Sequence, residues 1–244
     1  MRYRRVLMKL SGGALAGDGG WGFDKQAVEH IADEVLDLHQ IGVEVGVVIG
    51  GGNIFRGELG EQWGIERAEA DNIGMLATVI NGLMLRGALN ARHESVDVRV
   101  MTAIPINAVA EPYIRLRAIS HLEGGRIVLL VAGTGNPYVT TDYPAVQRAL
   151  ELRAEALLAA KNGVDGIYTA DPRRDPSARR YRALAYDTAI RENLRALDQS
   201  AVLLARDHDL PVHVFDFDQR GAMRRICLGE DVGTLISKGA DELA

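Results

Sequence analysis

The chain holds one cysteine, Cys227, in 244 residues, so no disulfide can close within it and a reducing compartment is expected. Beside Leu228 in an apolar stretch, that thiol reads as a small core residue and not as a nucleophile. Basic residues are not in excess: 28 Lys and Arg stand against 33 Asp and Glu, a net charge of −5. No global positive field would attract a polyanion, so no nucleic-acid partner is expected. The basic start Met1–Arg5 is followed by only three apolar residues before Lys9, which does not fit a signal peptide. No apolar run approaches the ~18 residues of a membrane span, so a cytoplasmic protein without a membrane partner is expected. His30, His39, His93, His121, His208 and His213 all fall outside the glycine-rich loops, and no spacing suggests a tetrahedral metal site. Acyl transfer through a Ser–His or Cys–His pair finds no support, and no metal site built from side chains is expected.

What the chain has is a β–α rhythm of short apolar runs alternating with amphipathic stretches. Strands are expected at Arg5–Leu10, Glu44–Ile49, Val96–Met101, Arg126–Val131, Ala156–Ala160 and Val212–Phe215. They are rich in Val, Ile and Leu with little alternation, as in strands covered on both faces. A helix is expected from Lys25 to about Ile41, with Asp24 as N-cap, Gly42 as terminator and Val28, Ile31, Ala32 and Val35 as one stripe. A longer one, about Ala70 to Ala91, carries Ile73, Leu76, Ala77, Ile80, Leu83, Met84 and Ala88 on one broad face. That face reads as core, with a subunit interface as the alternative. Residues 163–182, rich in Gly, Pro and Arg, read as a long loop or hairpin. With no linker, low-complexity segment or clear repeat, a single domain spanning residues 1–244 is expected. Its fold class is α/β, a doubly wound, mostly parallel central sheet with helices on both faces.

Glycine loops follow the strands. The first strand ends Lys9-Leu10-Ser11-Gly12-Gly13. A lysine inside an apolar strand is costly to bury unpaired, so Lys9 either projects to the sheet's rim beside a polar ligand or snorkels above an ordinary turn. The GxxxxGK spacing is absent, so this is not the P-loop signature. The second strand runs into Gly50-Gly51-Gly52-Asn53-Ile54-Phe55-Arg56, where consecutive glycines suit close backbone approach and Arg56 can fork onto phosphate oxygens. Asp71 is an acceptor for sugar hydroxyls or a carboxylate favoured by the helix dipole.

A third strand empties into Ala132-Gly133-Thr134-Gly135-Asn136-Pro137-Tyr138-Val139-Thr140-Thr141-Asp142, glycines and hydroxyls with one carboxylate. Further on, in Ala160-Lys161-Asn162-Gly163-Val164-Asp165-Gly166-Ile167-Tyr168-Thr169-Ala170-Asp171-Pro172, Tyr168 could pack on a base while Asn162 and Asp171 bond its edges or ribose; a turn-rich hairpin is the alternative. Arg173, Arg174, Arg179, Arg180 and Arg182 read as a solvated loop, and Asp198 as a helix N-cap. Repeated phosphate cradles with Lys9 and Arg56 point to phosphoryl transfer, in which positioning and charge neutralisation supply most of the catalysis. A phosphate acceptor, already anionic at neutral pH, needs no base and fits this inventory.

At these residues the chain resembles the bacterial uridylate kinases of the amino-acid-kinase fold. Lys9 to Gly12, Gly50 to Arg56, Asp71, Gly74-Met-Leu-Ala-Thr78, Ala132 to Asp142, Asp165 to Pro172 and Ala205-Arg-Asp-His208 follow that family's pattern in order, over nearly the whole chain. The resemblance implies a three-layer sandwich and transfer of the ATP γ-phosphoryl group to UMP, giving UDP and ADP for pyrimidine nucleotide synthesis. Mg²⁺ would be carried mainly by the nucleotide phosphates. It implies that Lys9, Leu10, Ser11, Gly12, Gly52, Arg56, Asn162, Tyr168 and Asp171 hold ATP. Gly51, Asp71, Thr134, Gly135, Asn136, Pro137, Tyr138, Val139, Thr140 and Thr141 would hold UMP. The N-terminal part thus serves mainly the acceptor and the C-terminal part mainly ATP. Lys9, Arg56 and Asp142 would be the charged catalytic set with Asp198 as organiser; Asp142 is either a base or an organiser. The resemblance further implies a homohexamer inhibited by UTP and activated by GTP, with Gly17, Asp18, Gly19, Gly20, Trp21 and Gly22 in the allosteric segment. The alternatives are a kinase of this fold forming an acyl phosphate on carbamate or an amino acid, and a non-catalytic nucleotide-binding storage protein.

Overall fold

Runs of Val, Ile and Leu too apolar for a one-sided strand build the centre of the sheet, because each is covered above and below. A computed structural model describes residues 1–194 and 197–244. Its strands are β1 (Arg5–Leu10), β2 (Glu44–Ile49), β3 (Val98–Thr102), β4 (Glu111–Pro112), β5 (Ile127–Val131), β6 (Ala156–Lys161), β7 (Tyr181–Ala185), β8 (Val212–Asp216), β9 (Thr234–Ser237) and β10 (Glu242–Leu243). Among the described residues they form one ten-stranded sheet in the order β10-β7-β9-β8-β6-β1-β2-β5-β3-β4. All neighbours are parallel except β7 with β10 and β8 with β9.

Helices α1 (Lys25–Gln40), α2 (Gly57–Gln62), α3 (Arg67–Arg92), α4 (Arg115–Glu123), α5 (Asp142–Glu151), α6 (Tyr186–Arg191), α7 (Gln199–Asp207) and α8 (Ala222–Leu228) connect them. Helices α1, α3 and α8 pack on one face of the sheet, and α4 to α7 on the other. The expected doubly wound, mostly parallel sheet with helices on both faces is what forms. β1 sits at its centre. The chain leaves β1 towards α1 and β2 on one side, and leaves β6, the neighbour on the other side, towards β8. A crevice therefore opens between the carboxyl ends of β1 and β6, the position where doubly wound sheets bind ligands.

The expected capping of α1 holds: Asp24 accepts from the Ala27 N–H at 2.8 Å, and Val28, Ile31, Ala32 and Val35 are buried. The reading of α3 needs correction. Its sheet-facing side carries Ala70, Ala77, Val79, Asn81, Gly82, Leu85 and Leu89, whereas Leu76, Ile80 and Met84 are 48%, 48% and 40% exposed. Periodicity marked an apolar face, but closeness of approach decides which side meets the sheet. A Cβ added at Gly82 would lie 2.5 Å from Val131 Cγ1, so small residues let the helix settle on β5 and turn Leu76, Ile80 and Met84 outward, while Ala77, Leu83 and Ala88 of the expected face stay against the core. By length and composition α3 is also apolar enough to cross a membrane, contrary to expectation, yet here it packs on α1, β3 and β5.

Four strands escaped the sequence. β4 and β10 are two residues long, β9 is four, and β7 lies in Tyr-Arg-Ala-Leu-Ala with no β-branched residue. The 163–182 segment is largely loop, pinned by a Tyr168–Arg180 bridge before β7 begins.

In β8, His213 is 3% exposed and its Nε2 meets the Tyr3 hydroxyl at 3.0 Å. Burial, aided by Arg2, drops its pKa to about 3. The unfolded chain would take up that proton near pH 6.5, before the folded protein does, so His213 supports stability fully only above that pH. Urea unfolding followed against pH is expected to show stability falling below pH 6.5 by up to about 1.4 kcal/mol per unit from this residue, and His213→Gln should flatten that limb.

Candidate functional site

The loops after β1 and β2 touch through their backbones. A Cβ at Gly12 would strike Gly52 N, Asn53 Oδ1 and Gly50 O at 2.6 to 2.7 Å, so only glycine lets the two turns nest. A Cβ at Gly51 would meet Gly74 O at 2.6 Å, which seats the same loop on α3. At Gly52 the equivalent position faces open space. Two fully buried amides lock the arrangement. The Asn81 amide on α3 donates to Gly50 O and to Asn53 Oδ1, both at 2.7 Å, and Asn53 donates to Gly22 O at 2.8 Å and Asn81 Oδ1 at 3.1 Å. The Gly22 N–H donates in turn to Asn53 O, so the 17–22 segment is tied to the glycine loop.

The loop after β5 is held from α3 as well. The Thr78 hydroxyl accepts from the Ala132 N–H at 2.7 Å and donates to Met75 O. Asp71 accepts from the Tyr138 N–H at 2.8 Å and from Arg67 Nε. Ala132 and Tyr138 have φ of +62° and +64°, the left-handed region that non-glycine residues adopt only when their surroundings impose it.

At the rim between these loops, Lys9 Nζ lies 2.7 Å from Asp142 Oδ1, with the two side chains only 9% and 14% exposed. The other oxygen of Asp142 accepts the backbone N–H of Asp198 at 3.0 Å. Asp198 occupies the N-cap position of α7 but its side chain makes no cap bond; it accepts from the Thr140 hydroxyl instead. The expected N-cap is therefore a cross-link between α7 and the β5–α5 loop, a pairing invisible at a separation of 58 residues.

Two cavities flank the rim. One, about 270 Å³, is lined by Gly51, Gly52, Arg56, Asp71, Asn136, Val139, Thr140 and Thr141 together with Phe55, Gly74, Met75 and Thr78. Arg56 donates to Gly52 O at 3.0 Å, and its guanidinium lies 5.9 Å from the Trp21 ring centroid. Lys9 and Asp142 do not line this cavity; Asp142 follows its Thr141 wall in the chain, and Lys9 is paired to Asp142. The second, about 520 Å³, is lined by Lys161, Val164, Ile167, Tyr168, Asp171, Asn193 and Leu194 among others. The Tyr168 hydroxyl donates to Asp165 at 2.7 Å, which with burial raises its pKa.

Some expected site residues stand apart. Leu10 has its side chain fully buried and can offer only backbone, its carbonyl already taken by the Gly50 N–H. Thr134, Gly135, Pro137 and Tyr138 shape the third loop without lining the first cavity. Asn162 does not line the second one; its amide faces Asp218 at 3.4 Å. Asp171 caps its own turn through the Arg173 N–H. Sequence reasoning assigned no role to Asn81 or Lys161. A polar residue in the apolar register of α3 was the available signal for Asn81, and a lysine closing an apolar strand, as in β1, was the signal for Lys161.

Residues 4–216 match the family model described as the amino acid kinase family. The chain is 58% identical over 241 residues to a protein named uridylate kinase from Frankia casuarinae, covering 99% of this chain and 93% of that one. It is 59% identical over 235 residues to another of that name from Frankia alni, covering 96% and 91%. Among solved structures, a UMP kinase from Bacillus anthracis superposes with a TM-score of 0.97 at 59% identity, all of both chains being covered. One from Ureaplasma parvum gives 0.90 at 33% identity, covering 98% of this chain and 100% of that one.

The amide clamp yields a direct test. Asn81→Ala leaves the Gly50 carbonyl and the Asn53 amide without their buried partner, so urea unfolding is expected to show a loss of about 1–3 kcal/mol.

Proposed function

The chain belongs to the amino acid kinase family, and we infer that within it the protein is a uridylate kinase: it transfers the γ-phosphoryl group of ATP to UMP, giving UDP and ADP. The observation that carries this is the buried Lys9–Asp142 pair at the sheet's switch point, with a cavity on either side. One cavity draws its lining from residues 48–144 and the other from 161–214. That division supports a single domain over residues 1–244 whose first part serves the acceptor and whose second part serves ATP.

In the acceptor cavity, Gly51, Asp71 and the loop from Thr134 to Thr141 would hold UMP, with Arg56 on phosphate oxygens. Lys9 to Gly12, Gly52, Tyr168, Asp171 and Asn162 would hold ATP, Asn162 only after its amide turns from Asp218. An acceptor oxygen, already anionic, forms the bond to the γ-phosphorus while the bond from that phosphorus to ADP breaks in line. Lys9 and Arg56 neutralise charge on the moving group. Asp142 suits the part of organiser better than base, since one oxygen holds Lys9 and the other the Asp198 N–H. Asp198 fixes that geometry and, through Thr140, the acceptor loop.

Among the described residues no group of three His, Cys, Asp or Glu is placed to hold a metal ion. We propose that Mg²⁺ is bound mainly by the nucleotide phosphates, where it would offset their charge. The outward stripe of Leu76, Ile80 and Met84 supports a homo-oligomer, proposed as a hexamer, since a partner would cover it. We place Gly17 to Gly22 in the regulatory segment, with GTP as activator and UTP as inhibitor. Support comes from the bonds joining Gly22 to Asn53 and from Trp21 beside Arg56. A lone buried thiol, pushed up to about 12 by burial, suits a cytoplasmic setting.

A coupled ADP-release assay across UMP, CMP, dTMP and carbamate is expected to respond to UMP; release with carbamate alone would overturn the assignment. Lys9→Ala is expected to lower kcat by about 10²–10³ in the same assay, and near-normal turnover would remove Lys9 from the mechanism.

A further inference from the structure

Lys161 brings a second ammonium group to the same rim without a carboxylate of its own. It ends β6, whose Ala159 is paired in register with Lys9 of β1. Side chains two apart along a strand share a face, so Lys161, Ala159 and Lys9 all project towards α5 and α7. The carboxylates on that side are occupied. Asp142 holds Lys9 and the Asp198 N–H, and Asp198 accepts from Thr140. Asp216, opposite Lys161 on β8, accepts the N–H groups of Gly163 and Asp218. Among the described residues the Lys161 side chain has no hydrogen bond or ion pair.

Burial, then the like charge of Lys9, lowers the pKa of Lys161, with Asp142 and Asp198 acting against them. A half-buried, unpartnered ammonium destabilises the folded chain. Asp142 and Asp198 offset only part of that cost, and an anion entering the cavity would offset more. Lys161 lines that cavity with Tyr168 and Asp171 at one end of the β1–β6 crevice, while Lys9 stands across the crevice on β1.

We propose that Lys161 is a further catalytic residue, binding the phosphate chain of the donor nucleotide at the oxygen that joins the transferred group to ADP. This rests on the kinase reading above. As the acceptor oxygen bonds to the γ-phosphorus, the bond from that phosphorus to the bridging oxygen breaks and its electron pair stays on the β-phosphate of ADP. The Lys161 ammonium donates hydrogen bonds to that oxygen, keeping its protons, so departing charge is met by one lysine while Lys9 meets the travelling group.

Lys161→Met keeps the side-chain length and removes the charge. Its kcat is expected to fall about 10²–10³-fold with KM for UMP unchanged, and Lys161→Arg to recover part of the loss. In titrations, ADP should bind the Met variant more weakly while adenosine binds as before. Because no partner is lost, the variant should melt at or above the temperature of the unaltered protein. Unchanged kcat, or equal weakening of ADP and adenosine, would overturn the proposal. So would a lowered melting temperature in both Lys161→Met and Lys161→Gln, which would assign the residue to structure. If the unaltered protein released no ADP with UMP, the kinase reading itself would fall; normal turnover there with undiminished turnover in the variants removes only this inference.

Discussion

A charged pair with side chains 9% and 14% exposed is the constraint around which the rest of the site is arranged. Burying Lys9 and Asp142 is favourable only if the remaining lone pairs and protons are satisfied. The second oxygen of Asp142 is met by the first N–H of the α7 region, a helix brought near by β6, which lies beside β1, and by β8, which lies beside β6. Doubly wound topology is thus what permits the pair. The pair in turn holds an ammonium group at the carboxyl end of β1, beside the crevice.

Neutral hydrogen bonds hold what charge cannot. The glycine loop after β2 has no side chains with which to anchor itself, and loses much conformational freedom on ordering. Its three glycines are anchored by Asn81 on α3 and by the neighbouring Asn53, which reaches Asn81 and the backbone of Gly22. Thr78 and Asp71 do the same for the loop after β5, so α3 acts as a rack that registers two loops against each other. The side chains doing this are uncharged or already paired, leaving Arg56 and Lys161 as cations facing the cavities.

How much of this could be read from the chain differs by element. The central strands were legible because strands covered on both faces are runs of Val, Ile and Leu, and the loops because glycines follow such runs directly. Edge strands β4, β7, β9 and β10 were not: they are short or lack β-branched residues, and pairing rather than propensity makes them strands. The broad face of α3 was read as core but is so only in part: Ala77 is buried and Leu83 and Ala88 pack on the core, while Leu76, Ile80 and Met84 face outward, since hydrophobic periodicity does not say that Gly82 permits the closest approach. Asp198 reads as a cap in the chain because a cap is a local motif, whereas its true partners, Thr140 and Asp142, lie more than 50 residues away.

Sequence by itself determined the α/β class, the order of the central elements, the glycine turns and the presence of Lys9, Arg56 and Asp142 at strand and helix ends. These follow from local chemistry: periodicity, backbone freedom at glycine, and the cost of burying a lone charge. Only the tertiary structure decided which carboxylate meets Lys9, what occupies its second oxygen, and that Lys161 stands across the crevice without a hydrogen-bond or ion-pair partner among the described residues. Those are facts of sheet order, and neighbours in a sheet are set by packing among strands far apart in the chain.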